Sequence, residues 1–183
     1  LLVTAGHCIT KLEDCNKYTW VFGFHATSDA MTSFITDNSN AYKCVKVISR
    51  SLSQLTKNDY ALVKLDRPVS GRTPLKLNRR GKVASDARLV IIGHPTGLPT
   101  KIADGATVRK KNWKYFKANL DSYGGNSGSA VINQDSGKVE GILVRGDKDY
   151  VYDSEQGCYV SNRCSDDGCR GEDVTYIKNV SGL

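Results

Sequence analysis

Short apolar runs, bounded by turn-forming residues, constrain this chain more than any other feature. Thr19–Phe24, Tyr42–Ser49, Tyr60–Leu65, Ala87–Ile92, Ala106–Val108, Ser129–Asn133 and Glu140–Val144 are rich in Val, Ile, Tyr and Phe and are separated by Gly, Pro, Asn, Asp and Ser. β-Branched and aromatic side chains fit a pleated, half-buried surface, and turn residues accept the backbone angles that reverse the chain. No long stretch has helical period. The pattern predicts an all-β barrel or sandwich. Thr175–Val180 is expected as a last strand or a short terminal helix.

Asp66–Ala84 carries Pro68, Gly71, Pro74 and Gly81 and divides the chain. The expected organisation is an N-terminal β module over residues 1–70, a linker over 71–84 and a C-terminal β module over 85–183. Asp147–Glu172 is rich in Asp, Gly and Cys, lacks periodicity and reads as a long stapled loop. Leu1-Leu2-Val3-Thr4-Ala5 reads as a buried strand with no preceding turn, no leader and no initiator Met. That is expected of a mature product or of a piece of a longer chain.

Composition narrows the partners. The chain has 183 residues and a net charge of +7. Residues 1–120 hold 20 Lys/Arg against 8 Asp/Glu, and residues 121–183 hold 6 against 11. The basic residues are scattered apart from Arg79-Arg80-Gly81-Lys82 and Arg109-Lys110-Lys111, and no nucleic-acid-binding motif accompanies them, so no nucleic acid is expected. No apolar run is long enough to span a bilayer, so no membrane is expected. Six cysteines are present. The spacing of Cys158, Cys164 and Cys169 fits no zinc pattern, no metal or cofactor is expected, and disulfides are favoured. One bridge is expected within Cys8, Cys15 and Cys44 and one within Cys158, Cys164 and Cys169. The two cysteines left over pair across the clusters or stay free. Disulfides place the protein in a secreted or periplasmic setting.

Three motifs carry chemistry. In Gly124-Gly125-Asn126-Ser127-Gly128-Ser129, glycines flank a serine and let successive N–H groups converge on one point. Gly125 and Ser127 are the expected oxyanion donors. In Leu2-Val3-Thr4-Ala5-Gly6-His7-Cys8, a histidine follows small residues at the end of an apolar strand; His25 and His94 lack this context. In Asn58-Asp59-Tyr60-Ala61-Leu62-Val63-Lys64-Leu65, an aspartate precedes a strongly apolar strand. Taken singly, these are a glycine turn, a strand-end histidine and a strand-cap aspartate. Taken together, they supply a nucleophile, a base and an orienting acid.

In that order, Thr-Ala-Gly-His-Cys at 4–8, Asp-Tyr-Ala-Leu-Val-Lys-Leu at 59–65 and Gly-Gly-Asn-Ser-Gly-Ser at 124–129 resemble the chymotrypsin-like (trypsin-like) serine peptidases. Asn126 before the serine is similar to the bacterial branch that includes the glutamyl endopeptidases. It also argues against activation by a buried amino terminus, which needs an aspartate there. The resemblance implies a catalytic triad of His7, Asp59 and Ser127 acting on polypeptide substrates. It implies two six-stranded antiparallel β barrels of the chymotrypsin type, the first lacking its initial strands. A separate N-terminal segment or chain would then complete that barrel.

The resemblance also implies a specificity pocket built from Asp121, Ser122, Val144, Arg145 and Gly146. A buried carboxylate at Asp121 would select Lys or Arg. Arg145, turned inward, would neutralise it and favour an acidic or polar residue. Leu143 stands where the glutamyl branch carries a histidine. Trp113-Lys114-Tyr115-Phe116 reads as hydrophobic packing beside the cleft. Two other functions fit the same residues: a catalytically impaired homologue acting as a binding module, and an acyl hydrolase or esterase.

Overall fold

The structure, a computed structural model, describes residues 1–28 and 38–183. It is nearly all β, with two curled antiparallel sheets of the chymotrypsin type. The first has the order β1-β4-β3-β2 and is built from β1 (Leu2–Thr4), β2 (Thr19–Val21), β3 (Ala41–Leu52) and β4 (Asp59–Leu65). β4 is buried at every position but Lys64, as expected for an apolar run paired on both sides. β2 ends sooner than the run Thr19–Phe24 predicts, beside Gly23 at φ 79°. A six-residue helix, α1 (Leu12–Lys17), precedes it, and Asp14 accepts the N–H groups of Thr10 and Lys11 at its start. Cys15 on α1 is bridged to Cys44 on β3.

The second sheet uses β5 (Leu89–Gly93), β6 (Lys101–Ala106), β7 (Val108–Lys111), β8 (Tyr115–Ala118), β9 (Ala130–Asn133), β10 (Lys138–Arg145) and β13 (Glu172–Tyr176). Its order is β6-β5-β9-β10-β13-β8-β7. β6 and β7 are one stretch of chain broken at Thr107, whose N–H donates to Asn119 Oδ1 at 2.6 Å. That stretch therefore supplies both edges. Counted as one bent strand, it gives the six expected and curls the sheet on itself. Leu89, Ile91, Phe116, Val131, Val174 and Tyr176 fill the interior. Ala5, Tyr60, Leu62, Ile142, Val144 and Ile177 form a second apolar cluster drawn from both sheets.

The structure adds detail to several expectations. Within the stretch 71–84, Leu77 bridges Val139, and Val139 N–H donates to the Lys76 carbonyl at 2.8 Å. The stapled loop holds a hairpin, β11 (Tyr150–Asp153) and β12 (Cys158–Ser161), turned by Asp153 Oδ1 accepting the N–H groups of Glu155 and Gln156. The last strand ends at Tyr176, and Ile177–Asn179 form a single 3-10 turn. Trp113 is exposed and stacks under Lys114, while Phe116 is buried. Both cysteine clusters hold one bridge each, Cys15–Cys44 and Cys164–Cys169, and Cys8 and Cys158 are free. Among the described residues, no helix is long and apolar enough to cross a membrane.

Candidate active site

β1 delivers His7. After Thr4 the chain turns, with Cys8 N–H donating to the Ala5 carbonyl at 3.2 Å. Gly6 lies against the carbonyls of Ser51 and Tyr60, so a side chain there would collide with backbone. Arg50 Nε holds the Gly6 carbonyl at 2.8 Å. This close approach aims the imidazole at Asp59, the first residue of β4.

Asp59 is 2% exposed and uses both oxygens on His7. Oδ1 accepts the backbone N–H at 3.1 Å, and Oδ2 lies 2.9 Å from Nδ1. A carboxylate accepts, so in the neutral imidazole Nδ1 carries the proton and Nε2 presents a lone pair. That lone pair faces the Ser127 hydroxyl, with Oγ at 2.9 Å. The hydrogen bond to Asp59, then one with Cys8, raises the His7 pKa from 6.5 to about 10; burial opposes them.

Ser127 sits between β8 and β9 on a loop fastened at several points. Gly124 N–H donates to Asp149 Oδ2 at 2.8 Å, and the Gly124 carbonyl accepts Thr96 N–H at 2.6 Å. Gly128 N–H donates to the Leu143 carbonyl, and Leu143 N–H to that of Ser129. Asn126 is buried, with its side chain between the hydroxyls of Ser122 and Ser129. Gly125 and Gly128 have φ of 95° and 90°, the left-handed region that favours glycine. No backbone carbonyl among the described residues accepts the N–H of Gly125 or Ser127, which leaves both donors free for an oxyanion.

A niche of about 70 Å³ opens beside Ser127. Asp147, Asp149, Glu172, Arg145, Leu143 and Gly146 are among its walls. It adjoins a cavity of about 500 Å³ that shares Asp147, Asp149 and Glu172 and adds Asp121 and Ser122. Asp121, expected as a buried pocket floor, is exposed. The buried carboxylate is instead Glu172, 8% exposed, which lies against Gly146 where any side chain would strike it. Burial raises its pKa from 4.5 to about 7, with the charge of Asp149 adding to the effect.

Val144 has its side chain in the apolar cluster between the sheets, so it offers the cleft only main chain. Arg145 does turn inward, but toward Asp59 and Asp173; no contact with Asp121 is formed. His94 bonds the Leu98 carbonyl and packs on Phe24, and His25 is likewise apart from the site. Sequence reasoning passed over Glu172, Asp149 and Asp173, because an acid-rich stretch without periodicity does not reveal which carboxylates turn inward. Among the described residues, no cluster of His, Cys, Asp and Glu would hold a metal ion.

Two curled β sheets, with an aspartate–histidine–serine chain of hydrogen bonds running between them, define the chymotrypsin-like class. The sequence matches the trypsin-like peptidase domain over residues 1–142, and the chain belongs to that family. Solved structures agree on the fold. A Glu endopeptidase is 14% identical at a TM-score of 0.61, covering 98% of this chain and 78% of that one. The Rv3671c protease from M. tuberculosis in its active form is 16% identical at 0.51, covering 78% and 57%. An inactive form of the Rv3671c protease is 18% identical at 0.51, covering 78% and 65%. No curated protein matches the sequence.

Proposed function

We propose that this chain is a serine endopeptidase in which Ser127 is the nucleophile, His7 the base and Asp59 the orienting acid. One observation carries the reading: residues from three separate segments meet in a continuous chain, Asp59 Oδ2 to His7 Nδ1 and His7 Nε2 to Ser127 Oγ, both at 2.9 Å. His7 takes the Ser127 proton as Oγ attacks the peptide carbonyl carbon. The N–H groups of Gly125 and Ser127 receive the oxyanion. His7 then protonates the leaving amine as the C–N bond breaks, and water, deprotonated by His7, hydrolyses the acyl-enzyme.

The niche favours Lys or Arg on the acyl side of the cut bond. Three carboxylates line it, and its one cation, Arg145, is engaged elsewhere. The Glu172 carboxylate, bonded by the Asp147 N–H and near the Arg170 charge, is placed to receive a substrate cation. Asp121 and Ser122 would line the outer part of the same space, where Arg109, Lys148 and Arg163 also stand. The two disulfides fit an oxidising compartment, secreted or periplasmic.

The test is hydrolysis of a matched peptide set with Arg, Lys, Glu, Phe or Ala before the cut, by wild type and Ser127→Ala. Cleavage after Arg or Lys, abolished by the substitution, is the expected result. Cleavage after Glu or Phe would overturn the pocket and keep the triad. A folded wild type that cleaves esters alone would make it an acyl hydrolase. One that neither cleaves nor is labelled by a serine-directed phosphonate would be a binding module.

A further inference from the structure

Arg145 ends β10 at a β-bulge. Leu143 pairs with Val174 and Arg145 with Asp173, so Val144 is the extra residue. A bulge re-aims the side chains that follow it. Here it sends a guanidinium across the cleft to the first sheet. Nη1 lies 3.5 Å from Asp59 Oδ2, Nη2 donates to the Lys57 carbonyl at 2.9 Å, and Nε donates to Asp173 Oδ2 at 3.2 Å. The guanidinium also faces the Tyr115 ring, 5.6 Å from its centroid. Asp173 is 2% exposed and is held from behind by Arg170 and, at 3.8 Å, by Lys117.

Asp59 Oδ2 is the oxygen that His7 Nδ1 uses. The cation and the imidazole therefore share one acceptor. A positive charge there stabilises the carboxylate without His7 and reduces what Asp59 gains from an imidazolium. We propose that Arg145 is a positioning residue that moderates the basicity of His7 through Asp59, while its contact with Asp173, its partner on the neighbouring strand, holds the guanidinium in place. The inference rests on the peptidase reading above.

The charged and titratable groups around this chain are few. His7 faces Asp59 on β4, Cys8 in its own turn and Ser127 on the nucleophile loop. Arg145 faces Asp59, Asp173 on β13 and Tyr115 on β8, and shares the niche with Asp147, Asp149 and Glu172. Among the described residues, Arg145 is the one cation besides His7 itself within ion-pair distance of Asp59.

The experiment is the pH profile of kcat/KM from about pH 5 to about pH 11.5 for wild type, R145K and R145Q, with phosphonate labelling of Ser127 followed over the same range and the limb required to level off within it. Thermal melts confirm folding. Without the guanidinium, His7 holds its proton to higher pH. The acid limb of R145Q is expected to move alkaline by about one unit, a roughly tenfold loss on that limb that closes at high pH. R145K, whose shorter side chain places its charge farther from Asp59, is expected to move the same way by less, and it carries the test if R145Q does not fold. A limb that coincides with wild type in a folded variant, with a uniform loss across pH, would overturn the inference and leave Arg145 a packing residue. A folded wild type without labelling or cleavage would instead overturn the peptidase reading, and the inference with it.

Discussion

Asp59 holds His7 through two atoms of the histidine, one on the backbone and one on the ring. Asp59→Asn keeps the shape but offers a donor where an acceptor is needed, so kcat is expected to fall by about 10⁴, against about 10⁶ for Ser127→Ala or His7→Ala. The raised pKa of His7 places the acid limb of kcat/KM above pH 6.5, activity rising with pH as the imidazole is freed; Asp59→Asn moves that limb down. Glu172 makes a separate prediction. Its charge appears as pH rises through about 7, so the preference for Lys or Arg over an uncharged residue grows across that range. Glu172→Gln abolishes this growth in the peptide set, and Asp121→Asn, at an exposed position, changes the preference less. The folded state keeps the Glu172 proton to higher pH than the unfolded chain. This group therefore costs stability as pH rises from 4.5 through 7, and Glu172→Gln is expected to gain on the order of 2 kcal/mol at pH 8 in denaturant melts. The candidate triad was legible because each member stands in a short motif of distinctive residue types. Glu172 and the aim of Arg145 were not, because both depend on a bulge and a close glycine contact that no local pattern announces.

Among the elements, strands with a strong apolar pattern were legible and those without it were not. β4 and β10 are buried on both faces and read as continuous apolar runs. β8, β11 and β12 carry polar or aromatic residues that serve as well in loops, and their partners lie far away or across a turn. Ala106–Val108 read as one short run, yet it is the corner between β6 and β7. α1 is too short to show a period and owes its place to Cys15, which ties it to β3. Closing the 29-residue separation between Cys15 and Cys44 is worth about 3–4 kcal/mol on loop entropy. The double replacement by serine is expected to lose that much in denaturant unfolding, while kcat at moderate temperature stays within a few-fold of wild type, since the bridge touches none of His7, Asp59 and Ser127.

The whole molecule depends on how closely one sheet approaches the other. Gly128, next to the proposed nucleophile, meets the end of β1: a Cβ there would strike Thr4 Oγ1 and lie 3.1 Å from Ala5 N. Gly128→Ala also strains a φ of 90°. It is expected to cost roughly 1–3 kcal/mol of stability and, by pushing Ser127 away from His7, about 100-fold in kcat/KM. Thermal melts and the rate of Ser127 labelling read the two effects separately.

β13 lies between β10 and β8, although it follows both in the chain by many residues. A ribosome that has finished every other strand of the second sheet has still left its middle empty. The wall that carries Ser127 closes only once residue 176 is out, and the Asp173 anchor for Arg145 arrives with the same few residues. A chain still short of β13 therefore lacks both the middle of that sheet and the side chain that holds Arg145 in place.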